Sequence, residues 1–263
     1  MKAAFYQFTP SFGRKEENIA KVISAVKGAD LELIVLPEFF ATGYQFTSID
    51  EVADLSEPIP DGNTTKALSD LSKEKGIYIV AGLPEKEGDK FYNSAVFTGP
   101  EGFIGSYRKT HLFFEEKLYF SPGDTGFRVW DTPIGKIGIM ICFDWFFPES
   151  ARSLALMGAE VIAHPANLVL PFCPDAMPVR CLENRVYAIT ANRTGTEERE
   201  EGKALTFIGK SEIVSPKAEI LVRAGEDEEA LMIVDIDPKT ASDKSLNPFN
   251  DILKDRREDI YEG

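Results

Sequence analysis

Apolar residues follow two rhythms along this chain. Short, nearly unbroken apolar runs alternate with longer stretches in which apolar positions recur every three or four residues. Leu31–Leu36 and Ile77–Leu83 are of the first kind, the composition of strands covered on both faces. Ala3–Phe8 is shorter and partly aromatic, and also reads as a strand. Arg14–Gly28 carries Ile19, Val22, Ile23 and Val26, a helical stripe ended by glycine, and Thr64–Lys75 is a second helix stopped at Gly76. Phe91–Thr98 and Gly102–Arg108 predict two strands joined by a turn at Gly99–Gly102.

The second half repeats the flavour of the first. Ile137–Cys142 is an apolar strand running into an aromatic stretch, and Pro148–Gly158 is a helix with proline at its start and glycine at its end. Val161–His164 and Val186–Asn192 read as strands on either side of a helix at Asp175–Asn184. Phe207–Val214 and Ala218–Val222 suggest a hairpin, and Leu231–Ile236 a further strand. The expectation is ten to twelve strands and four helices in a single α/β domain over residues 1–263, with 243–263 as a polar tail. The order of elements hints at two similar halves. The hydrophilic stretches Thr194–Lys203 and Gly225–Glu229 are short, and read as exposed loops and not as linkers between domains.

The chain has 263 residues, 43% of them hydrophobic and 27% charged, ordinary values for a globular protein with a sizeable core. Its net charge of -14 argues against nucleic acid or an anionic membrane as a partner. No apolar run approaches the roughly 20 residues of a membrane-spanning helix, and MKAAFYQFTP lacks the features of a signal peptide, so a cytoplasmic location is expected. Three cysteines without a CxxC make a disulfide framework a poor reading. Two histidines, without HExxH spacing, give a zinc site no support, and no glycine-rich phosphate loop is present.

Reactive groups in α/β proteins gather where buried strands end. Three residues stand directly after such strands. Glu38, in LIVLPEFF, is a carboxylate in dry surroundings, where burial would raise its pKa and suit it to proton transfer; it also reads as a strand-end cap. Lys109, in SYRKTHLF, offers an ammonium to a developing oxyanion or a thiolate, or is a solvated neighbour of Arg108. Cys142, in IGIMICFDWFFPE, ends its strand at a sharp turn before a helix, the setting of a nucleophile elbow, although most free cysteines are buried and inert. A Cys142–His164 pair is a rival catalytic arrangement, and His164 also reads as a core histidine.

LPEFFATGY, YRKTHLF and CFDWFFPE, in that order, resemble the Glu, Lys and Cys signatures of the nitrilase superfamily of carbon–nitrogen hydrolases. FEEKLYFSPGD, HPANLV, RCLENRVYAITANR and DILKDRREDIY extend the resemblance over essentially the whole chain. It implies a four-layer αββα sandwich and a cysteine-dependent hydrolase of small aliphatic amides or nitriles. A carbamoylase or a non-catalytic ligand-binding member stand as alternatives.

By the same resemblance Cys142 is the nucleophile, Glu38 the general base, and Lys109 the stabiliser of the tetrahedral intermediate together with the backbone N–H of Phe143. The second glutamate of the family falls on Glu116, with Glu115 as its neighbour. A thiolate beside an ammonium is expected to have a lowered pKa. Tyr44, Trp145 and Asn167 would contact substrate, and Phe40, Phe113 and Phe146 would help shape the pocket, although Phe146 and Phe147 also suit a core or an interface. No cofactor or metal is implied. A homodimer, possibly a higher homo-oligomer, is expected, with Trp145–Met157 and Asp175–Asn184 meeting across a two-fold axis and the tail wrapping the partner. Dedicated nitrilases typically carry Cys-Trp-Glu at the nucleophile, whereas this chain has Cys142-Phe143-Asp144, closer to the amidase and carbamoylase branches.

Overall fold

The computed structural model describes residues 1–261; the last two positions of the expected tail lie outside the described residues. In chain order the first half runs β1 (Lys2–Gln7), α1 (Lys15–Lys27), β2 (Leu33–Val35), α2 (Ile49–Leu55), α3 (Asn63–Lys75), β3 (Tyr78–Glu87), β4 (Lys90–Gly99) and β5 (Gly102–Arg108). After α4 (Glu116–Tyr119) come β6 (Val129–Thr132), β7 (Gly135–Ile139), α5 (Pro148–Leu156), β8 (Val161–Pro165), α6 (Cys173–Asn184) and β9 (Tyr187–Ala191). A two-stranded ribbon, β10 (Thr196–Glu197) and β11 (Leu205–Thr206), precedes β12 (Glu212–Val214), β13 (Ile220–Arg223) and β14 (Ala230–Asp235), and a small ladder of β15 (Ser245–Asn247) and β16 (Asn250–Asp251) follows.

Two six-stranded sheets result, ordered β14-β1-β2-β3-β4-β5 and β13-β12-β9-β8-β7-β6. Each has three parallel strands at its centre, β1, β2 and β3 in one and β7, β8 and β9 in the other, with antiparallel strands on both flanks. The two halves therefore share a topology, as the order of elements suggested.

Burial on both faces explains the unbroken apolar runs. Ala3, Phe5, Leu33, Val35 and Val80 join the core between the two sheets. Their neighbours Ala4, Tyr6, Ile34, Leu36 and Ile79 turn to the other side and meet Val22 and Val26 of α1 and Leu68 and Leu71 of α3. Side chains alternate along a strand, so a strand with a partner on each face can hold few polar positions. Helices α5 and α6 cover the outer face of the second sheet, where Ala151, Leu154, Met177 and Cys181 pack. The layers are thus helices, sheet, sheet, helices, the expected αββα sandwich.

The expected hairpin at Phe207–Val214 is shorter than the apolar pattern suggested. Phe207, Ile208, Gly209 and Lys210 donate their amides to Gly195, Leu168, Arg193 and Gly225 in turn, so this stretch stitches loops together and pairs with no single strand. Its ladder is confined to β12 and β13. Helices α2 and α4 and strands β6, β10, β11, β15 and β16 lie where no helix or strand was expected, β10 within the stretch Thr194–Lys203 that reads as an exposed loop. Among the described residues no helix is long and apolar enough to cross a membrane.

Candidate active site

Three loops, after the central strands β2 and β7 and the edge strand β5, bring the expected residues together, and each contains a non-glycine residue in the left-handed region. Phe39 has φ 49°, Phe114 φ 48° and Cys142 φ 41°. Such conformations cost about 1–3 kcal/mol each and persist only where surrounding structure enforces them. The first loop continues the pairing of β2: Leu36 donates to Val80 O at 2.8 Å and Phe40 to Gly82 O at 3.3 Å. Gly82 is required there, because a Cβ on it would stand 2.5 Å from Glu38 Cα.

Lys109 leaves the end of β5 with its amide on Asn93 O (2.8 Å) and its carbonyl accepting from Gly123 (2.9 Å). Its neighbour Arg108 is pinned by two bonds to Glu85, 3.0 and 2.6 Å, and lies over the Tyr92 ring. Lys109 is itself only 1% exposed, which overturns the solvated alternative.

The third loop is the elbow. Cys142 opens a short 3-10 turn, Cys142–Phe146, with two residues between it and the end of β7 at Ile139, so the strand is shorter than the apolar run Ile137–Cys142 suggested. Asp144, fully buried, holds the turn by accepting from Ile141 N (2.9 Å) and Tyr107 OH (2.7 Å) on one oxygen. Its other oxygen meets His111 N (3.0 Å) and His111 Nδ1 (2.8 Å). One carboxylate thereby ties the Cys142 loop to the Lys109 loop. His164 Nε2 donates to the carbonyl of Cys142 at 3.0 Å while Nδ1 meets Thr190 Oγ1. Burial depresses His164 to about 4, so the ring is neutral near pH 7. It supports the backbone of the elbow, the core role and not that of a thiol's base.

At the centre, Lys109 Nζ lies 2.8 Å from Glu38 Oε1 and 2.8 and 2.9 Å from the two oxygens of Glu116. Tyr44 OH donates to Glu116 Oε1 (2.7 Å), and Phe113 N to Glu116 Oε2 (3.2 Å). Asn93 Nδ2 donates to Glu38 Oε1 at 2.6 Å and reaches Glu116 Oε2 at 3.4 Å. Glu116, not the half-exposed Glu115, is therefore the carboxylate facing the lysine. Glu38 Oε2 is buried with no hydrogen-bond partner. A buried carboxylate oxygen left free is costly for stability and is what a proton acceptor needs.

The electrostatics follow from this burial. Desolvation lifts Glu38 above the ordinary carboxylate range; the Lys109 ammonium opposes the shift and the Glu116 charge adds to it. Burial alone would lower Lys109, but Glu116 and Glu38 hold it above its usual value, so it stays charged. The Cys142 thiol is pushed well up, by burial first and then by Glu38, with Lys109 opposing. This corrects the expected lowered pKa: one ammonium shared by two carboxylates does not outweigh desolvation. Burial thus favours the protonated thiol at Cys142.

A narrow cleft with about 20 Å³ of free space opens beside Cys142, lined by Phe113, Phe143, Trp145, Asn167, Leu168, Val169 and Leu170. Asn167 is 2% exposed, and both atoms of its side-chain amide lack a partner. Of the expected contact residues, Phe143, Trp145 and Asn167 stand on this wall, whereas Tyr44 reaches the cluster through Glu116. Phe40 packs in the helix-side core, and Phe146 is half exposed. Asn93, Asp144, His111 and Tyr107 were not expected. Asp144 lies inside the CFDW motif and is the one the sequence offered a hint of.

The family model for carbon-nitrogen hydrolase matches residues 2–244. A nitrilase of Pyrococcus abyssi is 53% identical over 99% of both chains. An N-carbamoylputrescine amidase of Solanum lycopersicum is 35% identical, covering 89% of this chain and 83% of its own. Among solved structures, a carbon–nitrogen hydrolase of Helicobacter pylori G27 superposes with a TM-score of 0.90 at 28% identity, over 99% of this chain and 97% of the other.

Proposed function

Since the chain belongs to the carbon–nitrogen hydrolase family, an enzyme family of nitrilases and amidases, we propose that it hydrolyses small aliphatic amides or nitriles with Cys142 as nucleophile. The observation that carries this reading is the buried Lys109 bridging Glu38 and Glu116 at the foot of a cleft that Cys142 lines.

Glu38 takes the thiol proton on its free Oε2 as Sγ attacks the carbonyl carbon. Negative charge then develops on the substrate oxygen, and Lys109 Nζ and the N–H of Phe143 stabilise it. An amide at the first turn of a helix has no intrahelical acceptor, which suits this role. Glu38 returns the proton to the departing ammonia, leaving a thioester. It next deprotonates a water that attacks this thioester, and the carboxylic acid leaves as Cys142 regains its proton. A nitrile passes first through a thioimidate and consumes one more water. Glu116 and Tyr44 hold Lys109 in place throughout.

Two copies pair through α5 and α6, supported by exposed Phe146, Met157, Phe172, Val179 and Leu182 on and around those helices. The chain acts as one domain, supported by the core that both sheets share, with the segment from residue 243 as its tail. Three free cysteines suit a reducing compartment such as the cytoplasm.

The test is ammonia release from matched nitrile, amide and N-carbamoyl substrates, with Cys142→Ala as the blank. Release from the amide or nitrile by the wild type alone is expected. Equal release by Cys142→Ala, or none from any substrate, would overturn the assignment.

A further inference from the structure

Building on the hydrolase reading of Cys142, we propose that the acyl side of the substrate is short, uncharged, and carries one neutral hydrogen-bonding group that pairs with Asn167. Two observations carry this. The wall of the cleft beside Cys142 has no Lys, Arg, Asp or Glu among its residues: Phe113, Phe143, Trp145, Leu168, Val169 and Leu170 are all apolar. The ionised groups behind it, Lys109, Glu38 and Glu116, are bound to one another and, in the proposed reaction, committed to the oxyanion and the thiol proton, so they do not serve a charge on the acyl chain. A carboxylate or ammonium on the acyl chain would have to leave water for this wall unpaired, which costs at least about 100-fold in affinity.

The second observation is Asn167 itself. It is the one polar side chain on the wall besides the nucleophile, it is almost fully buried, and its Oδ1 and Nδ2 both lack a partner. An amide offering one acceptor and two donors into an apolar cleft matches a neutral group such as a second amide or a hydroxyl. A site built to bond such a group discriminates against the analogue without it, because its own polar atoms are then left unpaired. The length limit follows from the cleft, whose free space of about 20 Å³ is far below the range of about 300–1,000 Å³ typical of pockets for drug-sized ligands.

Four amides of matched chain length separate the possibilities: butyramide, succinamide, succinamate and 4-aminobutyramide. For the wild type, kcat/KM is expected to be about tenfold higher for succinamide than for butyramide. Both should exceed succinamate and 4-aminobutyramide by at least about 100-fold. In Asn167→Leu the ratio of succinamide to butyramide falls to near one. In Asn167→Asp, the readout should that variant not fold, 4-aminobutyramide gains on the neutral pair. The same four amides are titrated calorimetrically into Cys142→Ala, so the order of binding is read without turnover. Were the wild type to release no ammonia from any amide, the hydrolase reading would fail while this binding order still decided the claim about the cleft. A charged amide that equals or beats the neutral ones, a succinamide-to-butyramide ratio unchanged in Asn167→Leu, or no binding of any of the four to Cys142→Ala overturns the proposal.

Discussion

Asp144→Asn is nearly isosteric, yet it should be among the most damaging single changes outside the reacting groups. Asp144 accepts four hydrogen bonds in two pairs, Ile141 N with Tyr107 OH on one oxygen and His111 N with His111 Nδ1 on the other. An asparagine keeps one oxygen and turns an NH2 toward whichever pair it abandons. The Tyr107 hydroxyl adapts, since Thr110 Oγ1 lies 2.9 Å away, and the His111 ring adapts by changing tautomer. Neither backbone amide can adapt, so one N–H, of Ile141 or of His111, is left facing another donor. The loss of one charge-assisted bond, about 1.5–3 kcal/mol, joins the stranding of a buried donor, about 1–3 kcal/mol. We therefore expect Asp144→Asn to lose about 3–5 kcal/mol in urea unfolding, and Tyr107→Phe, which removes the bond to Asp144 and the part-buried acceptor of Thr110 N (3.1 Å) but leaves the Ile141 and His111 amides paired, about 1–3 kcal/mol. Because Ile141 precedes the nucleophile, the elbow shifts with it, and a displacement of about 1 Å lowers kcat about 100-fold. Asp144→Asn and His111→Ala should be strongly non-additive, since they share bonds. An Asp144→Asn protein within about 0.5 kcal/mol of the parent, with an unchanged kcat, would refute the role given to this carboxylate.

Three further outcomes follow from the same geometry. Glu38 must be ionised to accept the thiol proton and burial raises it, so kcat/KM should climb with pH through a limb lying above the ordinary Glu value of about 4.3; the limb should vanish in Glu38→Gln, along with about 100- to 10,000-fold of the rate. In Gly82→Ala the new Cβ meets the Glu38 backbone at 2.5 Å, so stability should drop by about 1–3 kcal/mol and kcat should fall more than KM changes, a split that unaltered kinetics would contradict. Glu212, buried beside Arg223, is raised to about 7 by desolvation, so the folded state holds its proton more tightly than the unfolded chain. Its stabilising contribution is complete below about 4.5 and is lost as pH rises through about 7; moving the midpoint that far corresponds to about 3 kcal/mol. Urea unfolding at pH 5 and pH 8 should show the wild type losing roughly that amount relative to Glu212→Gln, and parallel stability curves would contradict it.

The parts of the fold most legible in the sequence were those where burial is complete. Leu33–Val35 and Val161–Pro165 are covered on both faces, and their apolar runs admit one reading. Residues that follow such strands are equally legible, which is why Glu38 and Cys142 stand out; Lys109 follows the partly exposed edge strand β5. Asn93 does not stand out, because it sits within a long antiparallel strand, where a polar residue usually faces solvent and here faces two carboxylates. Lys109 by itself looked like a surface residue; only the meeting of Glu38 and Glu116, 78 positions apart in the chain, makes its burial tolerable. Helix α2 carries a signal in the sequence at its start, the Ser-x-x-Glu pattern of a capped helix, and Ser48 accepts from Glu51 N there. Strand β6 had no such signal, being four residues long and only partly buried.

Glu38 and Lys109 hang from one sheet, Cys142 and Asn167 from the other. Neither half-sandwich holds a working set of groups, so turnover reports on how the halves are docked. A swelling that slid the sheets apart by the width of a single atom would silence the enzyme while nearly every ladder in it stayed zipped. Loss of rate on heating or in mild denaturant should accordingly come before the loss of far-ultraviolet circular dichroism, making catalysis the earliest alarm of a loosening interior.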